Sequence, residues 1–163
     1  MPKITPGIPP IVLRVVNCIP RLINTKIQEK VVQNEELVEK VKLLASFKGV
    51  GNATATMLTL CLPELGELNR AEIARLLGVA PINHDSGNKR GYRAIQGGRF
   101  YVRKMLYMVV LSALKYNHMI KPFYDRLIAS GKKSKVAIVA CMRKIIIILN
   151  AMLRDKKEFS ILS

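Results

Sequence analysis

The chain has 163 residues, half of them hydrophobic, with 27 Lys and Arg against 11 Asp and Glu, a formal net charge of +16. That length suits one compact domain with an extension, and that apolar fraction excludes wholesale disorder. A fold this basic repels itself unless a polyanion or acidic surface compensates, so nucleic acid is the first partner to consider, although ribosomal or membrane-surface binding fits the same bulk number.

Residues 1–25 form a Pro-rich lead without a clear period, and Arg14 interrupts its apolar run, which makes a poor signal-peptide core. From Thr25 to Phe47, Ile27, Val31, Leu37, Val38, Val41 and Leu44 follow helical spacing, so 26–47 is read as an amphipathic helix that pairs with another helix. Residues 48–155 are read as one helical domain and 156–163 as a tail.

That domain opens on Gly49-Val50-Gly51, a turn between apolar Leu43, Leu44 and Phe47 and small Ala53 and Ala55, the helix-hairpin-helix pattern. Gly49 and Gly51 permit a sharp turn, and free amides at the next helix start can bind a phosphate without reading bases. A plain helix–helix turn with a glycine C-cap fits the same residues. A second helix is predicted from Asn52 until Pro63. A short third one follows, where Asn69 and Glu72 stand at capping-box spacing and Gly78 supplies the stop.

Ala80 to Gly98 lacks a long apolar period and contains Gly87, Gly91, Gly97 and Gly98, so it reads as a Gly-rich basic loop with "YRAI" as a short-strand candidate. Lys89, Arg90, Arg93, Arg99, Arg103 and Lys104 surround this loop and the start of the following helix. Arg99 and Arg103 are four apart and share a helix face. Gly97 and Gly98 leave the helix-start amides open to an anion, and Tyr92, Phe100 and Tyr101 add surface for stacking. A solvated basic face is the plainer account of such a run. Between Asn83 and Lys144, however, fourteen basic residues face only Asp85 and Asp125, which favours polyanion binding.

Three further helices are predicted at Arg99–Tyr116, Ile120–Ala129 and Ser134–Arg154. Lys132, Lys133 and Lys135, at the Ser-Gly turn before the last, fit either loose phosphate contact or a solubilising turn. The last helix holds the most hydrophobic run of the chain with Arg143 and Lys144 at its centre. A charged pair at mid-bilayer is expensive, so a buried core helix is expected and no membrane partner. The fold class is therefore mainly α: a compact helical domain with a helix-hairpin-helix-like element and a Gly-rich basic loop. Cys18, Cys61 and Cys141 are dispersed without a CxxC pair, and His84 and His118 are the only histidines. This pattern argues against a disulfide framework or a metal site and for a reducing, cytoplasmic compartment.

Ser86 is the sharpest candidate. Asp-Ser-Gly is good turn chemistry, and a serine hydroxyl is a weak nucleophile that needs a base or metal beside it. His84 and Asp85 adjoin it in sequence, but adjacent residues rarely point at one another. The residue pattern alone leaves both roles open.

The segments "FKGVGNATATMLTLCLPELG", "IARLLGVAPINHDSGNKRG", "GGRFYVRKMLYMVVLSALKYN" and "FYDRLIASGKKSKVAIVACMRKIIIILNAMLRD" occur in this order. Together they closely resemble the C-terminal domain of the IS110/IS116-type insertion-sequence transposases, over about Val41 to Asp155. The resemblance implies DNA transposition and recombination, guided by a structured RNA. It implies a composite active site in which a separate domain holds magnesium on an Asp-Glu-Asp-Asp carboxylate set. The serine of the "APxxxxSG" loop, Ser86 here, then becomes covalently joined to a DNA phosphate. Ala80, Pro81 and Gly87 frame that serine, and Arg90, Arg93 and Arg99 are the cations placed to counter phosphate charge. The first forty residues contain no Asp. The expectation is accordingly a truncated copy: the DNA-binding C-terminal half, with no cofactor of its own, working with a full-length transposase or its own oligomer. The alternative is a nucleic-acid-binding helical module without catalysis.

Overall fold

The computed structural model describes residues 34–83 and 93–159. The chain divides into two compact units, Met1–Val38 and Glu39–Ser163. Of the first, only 34–38 is described, and the account below concerns the second. The fold is mainly helical, as expected. Among the described residues the elements are α1 (Glu35–Ala45), α2 (Asn52–Cys61), α3 (Arg70–Leu76), the strands β1 (Pro81–Asn83) and β2 (Arg93–Ile95), α4 (Phe100–Tyr116), α5 (Ile120–Ala129) and α6 (Ser134–Asp155).

α6 is the spine. Ala137, Ile138, Cys141, Met142, Ile145, Ile146, Leu149, Met152 and Leu153 recur at three- and four-residue spacing and are all buried. They meet α3, α4 and α5, while α2 packs on α4. By length and composition α6 is the one described helix able to cross a membrane, yet this stripe faces protein. Burying each large aliphatic side chain contributes about 1.5–3 kcal/mol, which outweighs the weak local preference of β-branched residues for helix. Lys144 lies 4.4 Å from the centre of the Phe123 ring on α5, so one of the two mid-helix cations is covered by an aromatic face.

The short elements are set by local chemistry. The Asn69 side chain accepts from the backbone N–H groups of Ala71 (2.9 Å) and Glu72 (3.0 Å), and Glu72 returns a bond to the Asn69 N–H (2.9 Å). This is the capping box read from the sequence, without which a seven-residue helix is marginal. Gly78 follows in the left-handed region at φ +64° and ends α3. Within the segment read as a loop, Pro81–Asn83 pairs antiparallel with Arg93–Ile95, Pro81 opposite Ile95 and Asn83 opposite Arg93. "YRAI" therefore contributes its last three residues to a two-stranded ribbon.

Buried polar side chains tie the turns to this frame. Asn150 of α6 is 2% exposed. Its Nδ2 donates to Leu68 O (2.7 Å) and its Oδ1 accepts from Gly66 N–H (2.8 Å), which holds the turn after α2 in place. Asn117 donates to Lys48 O (3.0 Å) and accepts from Met119 N–H (3.0 Å), joining the α1–α2 turn to the start of α5. Near the C-terminus, Phe159 stacks obliquely on Phe47 at 4.8 Å, and its N–H reaches Ser46 Oγ (3.1 Å).

Candidate nucleic-acid interface

The two strands of the ribbon flank, in sequence, the segment that carries most of the sequence-derived site. Ser86, Lys89 and Arg90 lie outside the described residues. Arg93 falls at the start of β2, its backbone paired with Asn83. The two strands enter and leave from one junction, where Gly78 and the Gly97–Gly98 pair bring two backbone segments together. A Cβ on Gly98 would stand 2.7 Å from Gly78 Cα, and one on Gly78 would stand 2.8 Å from the Gly97 carbonyl carbon. Real side chains do not approach that closely, so both positions require glycine.

Two of the expected phosphate-facing guanidinium groups are engaged in building this junction. Arg103 Nη1 donates to Gly97 O (2.6 Å), and its guanidinium carbon lies 5.7 Å from the Phe100 ring centre. Arg99 is the residue preceding α4, and its guanidinium donates to Cys61 O (2.7 Å) and to both carboxylate oxygens of Glu64, one at 2.9 Å. The hydrogen bond from Arg99 holds the Glu64 carboxyl below its ordinary value, and the same bond raises the Arg99 pKa. Arg99 thus spends its bidentate fork inside the fold. Of the cations read from the sequence at the start of α4, Lys104 alone is exposed and without a partner among the described residues.

The Arg99–Glu64 pair has a pH signature. A carboxylate lowered by folding adds stability above its unfolded pKa and loses it as pH falls through the folded one. Thermal melts of wild type and Glu64→Gln should differ at neutral pH, with the variant lower. The gap should close as pH drops below the ordinary value of 4.5. Both side chains are about one-third exposed, at 37% and 35%, so the gap should be modest and shrink in salt.

The two hairpin-turn glycines separate in role. Gly49, at φ +120°, packs so tightly on α4 that a Cβ would lie 2.9 Å from Ala113 Cβ. Gly51 is exposed, has open space around it, and precedes α2 in extended geometry with no side chain capping the helix. The first-turn amides of α2 therefore lack a side-chain acceptor.

Beside the ribbon lies a cleft of about 800 Å³ whose polarity the loop-centred reading missed. Pro81 and Ile95, opposite one another in the ribbon, form one wall; Tyr107 of α4 and Val136 and Val139 of α6 form the others. Lys132, Lys135 and Arg143 border it, and none has an ion-pair partner among the described residues. The available signal was the helical spacing of Val136, Val139 and Arg143. What hid it was that the other walls are decades of residues away in sequence. Cys141, on the buried side of the same helix, has its thiol pushed up to about 11 by burial and is not a nucleophile.

No group of three or more His, Cys, Asp or Glu among the described residues is placed to hold a metal ion. The magnesium implied by the resemblance therefore has no donor set among these residues.

Comparison with known proteins adds the family. A family model described as "Transposase IS116/IS110/IS902 family" matches residues 41–125, from within α1 to within α5. The chain is 31% identical over 129 residues to the pilin gene-inverting protein of Moraxella bovis, covering 76% of this chain and 40% of that one. It is 30% identical over 115 residues to the insertion element IS110 43.6 kDa protein of Streptomyces coelicolor (69% of this chain, 28% of that one). It is 33% identical over 86 residues to the insertion element IS900 42 kDa protein of Mycobacterium paratuberculosis (51% and 21%). The chain thus spans two-fifths or less of the length of these relatives. With the match running through the ribbon and the glycine junction, this chain belongs to the IS116/IS110/IS902 transposase family.

Proposed function

We propose that this chain is the DNA-handling C-terminal portion of a transposase, acting in DNA transposition and recombination. The observation that carries the reading is the family match over 41–125, which includes Ser86 and both strands that flank its loop. Ser86 follows Asn83, the last residue of β1, by three positions in the sequence. The cations at the cleft beside that ribbon give an electropositive floor for a sugar-phosphate backbone.

In this reading the Ser86 hydroxyl loses its proton and attacks a DNA phosphorus. A serine–phosphate ester forms, the bond to the departing deoxyribose oxygen breaks, and that oxygen leaves as a hydroxyl. Reversal by another strand's hydroxyl regenerates the serine and rejoins DNA. A magnesium ion, if held on the carboxylates of a separate domain from a full-length transposase or another subunit, would supply charge neutralisation at the phosphate and ease loss of the Ser86 proton. A structured RNA from the element is a further proposed partner. The amides that start α2 after Gly51 supply an additional backbone phosphate contact, as a helix-hairpin-helix does.

The test is a covalent trap. Element-end DNA incubated with this chain and a complementing carboxylate domain should yield a protein–DNA adduct that Ser86→Ala abolishes. An equal adduct on Ser86→Ala would refute the nucleophile. The cations Lys132, Lys135 and Arg143 at the cleft also suit a second reading, a nucleic-acid-binding module without catalysis. It predicts salt-sensitive DNA binding that Ser86→Ala leaves unchanged and no adduct under any complementation.

A further inference from the structure

The cleft between the ribbon, α4 and α6 combines features that a plain phosphate-binding surface does not need. Its walls are apolar, from Val136, Val139 and their neighbours, and Tyr107 contributes an aromatic ring that is 44% exposed. Its volume of about 800 Å³ lies within the range of small-ligand sites. Lys132, Lys135 and Arg143 stand at its border with no carboxylate among the residues that line it. A ligand matching this set needs a flat apolar face bearing π-electrons and negative charge on a flexible arm at its edge. Paired duplex DNA offers only the charge, because its bases are stacked inside.

We propose that this cleft receives an unpaired DNA base, which stacks on Tyr107 while its flanking phosphates meet Lys132, Lys135 and Arg143. The inference rests on the DNA-handling reading and adds to it a preference for distorted over intact duplex. An acidic amphipathic peptide answers the cations equally well. The large positive charge of the chain and the position of the cleft beside the β1–β2 ribbon favour nucleic acid. Stacking of a base on an aromatic side chain tolerates any sequence, so the preference is for the unpaired state and not for a particular base.

The test compares two fluorescein-labelled duplexes of one sequence, one fully paired and one with a single unpaired adenine, by anisotropy at low salt. Wild type should bind the bulged duplex about tenfold more tightly. Tyr107→Phe should keep that ratio, and Tyr107→Leu, which retains apolar bulk but no ring, should reduce it to near unity. Equal affinities in wild type, or a ratio that survives Tyr107→Leu, would overturn the proposal while leaving DNA binding intact. Equal affinities together with a change of oligomeric state in Tyr107→Leu would overturn it in favour of a protein-docking face. Failure of both duplexes to bind would remove the DNA-handling reading and this inference with it.

Discussion

Gly98→Ala is expected to destabilise the protein by about 4 kcal/mol or more, and Gly97→Ala, one residue away, by only about 1 kcal/mol. Both glycines are in the left-handed region, at φ +74° and +68°. The backbone penalty for an L-residue is therefore shared and does not distinguish them. The difference is space. Nothing lies within 4 Å of a Cβ built on Gly97, whereas a Cβ on Gly98 runs into the Leu77–Gly78 backbone, 2.7 Å from Gly78 Cα. The obstacle is main chain at the end of α3, fixed by the capping box and the buried Leu77, and no rotamer change clears it. With total stabilities near 5–15 kcal/mol, a loss of that size removes between about a quarter and four-fifths of the folding free energy. Urea titrations of the two variants check this, and similar midpoints for both would show that the close approach is not what holds the junction.

The second large effect is at Asn150. Replacing it by Leu keeps the heavy-atom count and the branch at Cγ but strips the partners from Gly66 N–H and Leu68 C=O, two main-chain groups held by a side chain that is 2% exposed. Unsatisfied buried groups cost about 1–3 kcal/mol each, so a loss of about 2–5 kcal/mol is expected despite the greater hydrophobicity of Leu. Asn150→Asp separates geometry from charge. A protonated carboxyl there can donate to Leu68 O and accept from Gly66 N–H, but an ionised one faces a carbonyl oxygen in an apolar setting. Its pKa is raised by folding, so its stability relative to wild type is greatest in acid and is lost as pH rises through that value. Melts of wild type and Asn150→Asp should diverge as pH rises, in the same sense as the Glu64→Gln comparison, although here the titrating carboxyl belongs to the variant. A pH-independent gap would mean that the carboxyl is hydrated instead of clamped.

Most of the fold was legible because its helices are bounded by local chemistry. The helix predicted at Ile120–Ala129 has those ends, the one at Ser134–Arg154 is one residue longer, and that after Gly51 stops at Cys61, two residues short of Pro63. The Asn69–Glu72 box and the Gly78 stop are signals carried within a few residues. For the first helix, Glu35–Ala45 lies within the predicted 26–47, and residues 26–33 fall outside the described ones.

The ribbon was half legible. "YRAI" has strand character, but its partner begins with Pro81 and has only three residues. The site was less legible still, because pairing across the fold decides which cations are committed. Nothing near Arg99 in sequence announces Glu64, 35 residues earlier, or the Cys61 carbonyl. The four-residue spacing of Arg99 and Arg103 suggested a shared phosphate-facing surface, yet Arg103 turns to the Gly97 carbonyl. Conversely, Lys132 and Lys135 fitted phosphate contact and a solubilising turn equally well from sequence, and the fold places both at a cleft with Pro81, Ile95 and Tyr107. Ser86 itself was assigned by resemblance, and its loop lies outside the described residues.

The glycine junction has a consequence for how such a protein diversifies. Because Pro81 and Ile95 are already opposed and the chain is cinched at Gly78 and Gly98, the ends of the intervening segment are brought together by the scaffold. Lengthening a segment whose ends are so held adds only about 0.6 kcal/mol per doubling. Insertions or deletions on the Arg93 side of Ser86 would therefore cost the helical frame little and leave the candidate nucleophile's sequence context in place. The mount fixes where the segment is anchored, and its length can change without disturbing that anchorage.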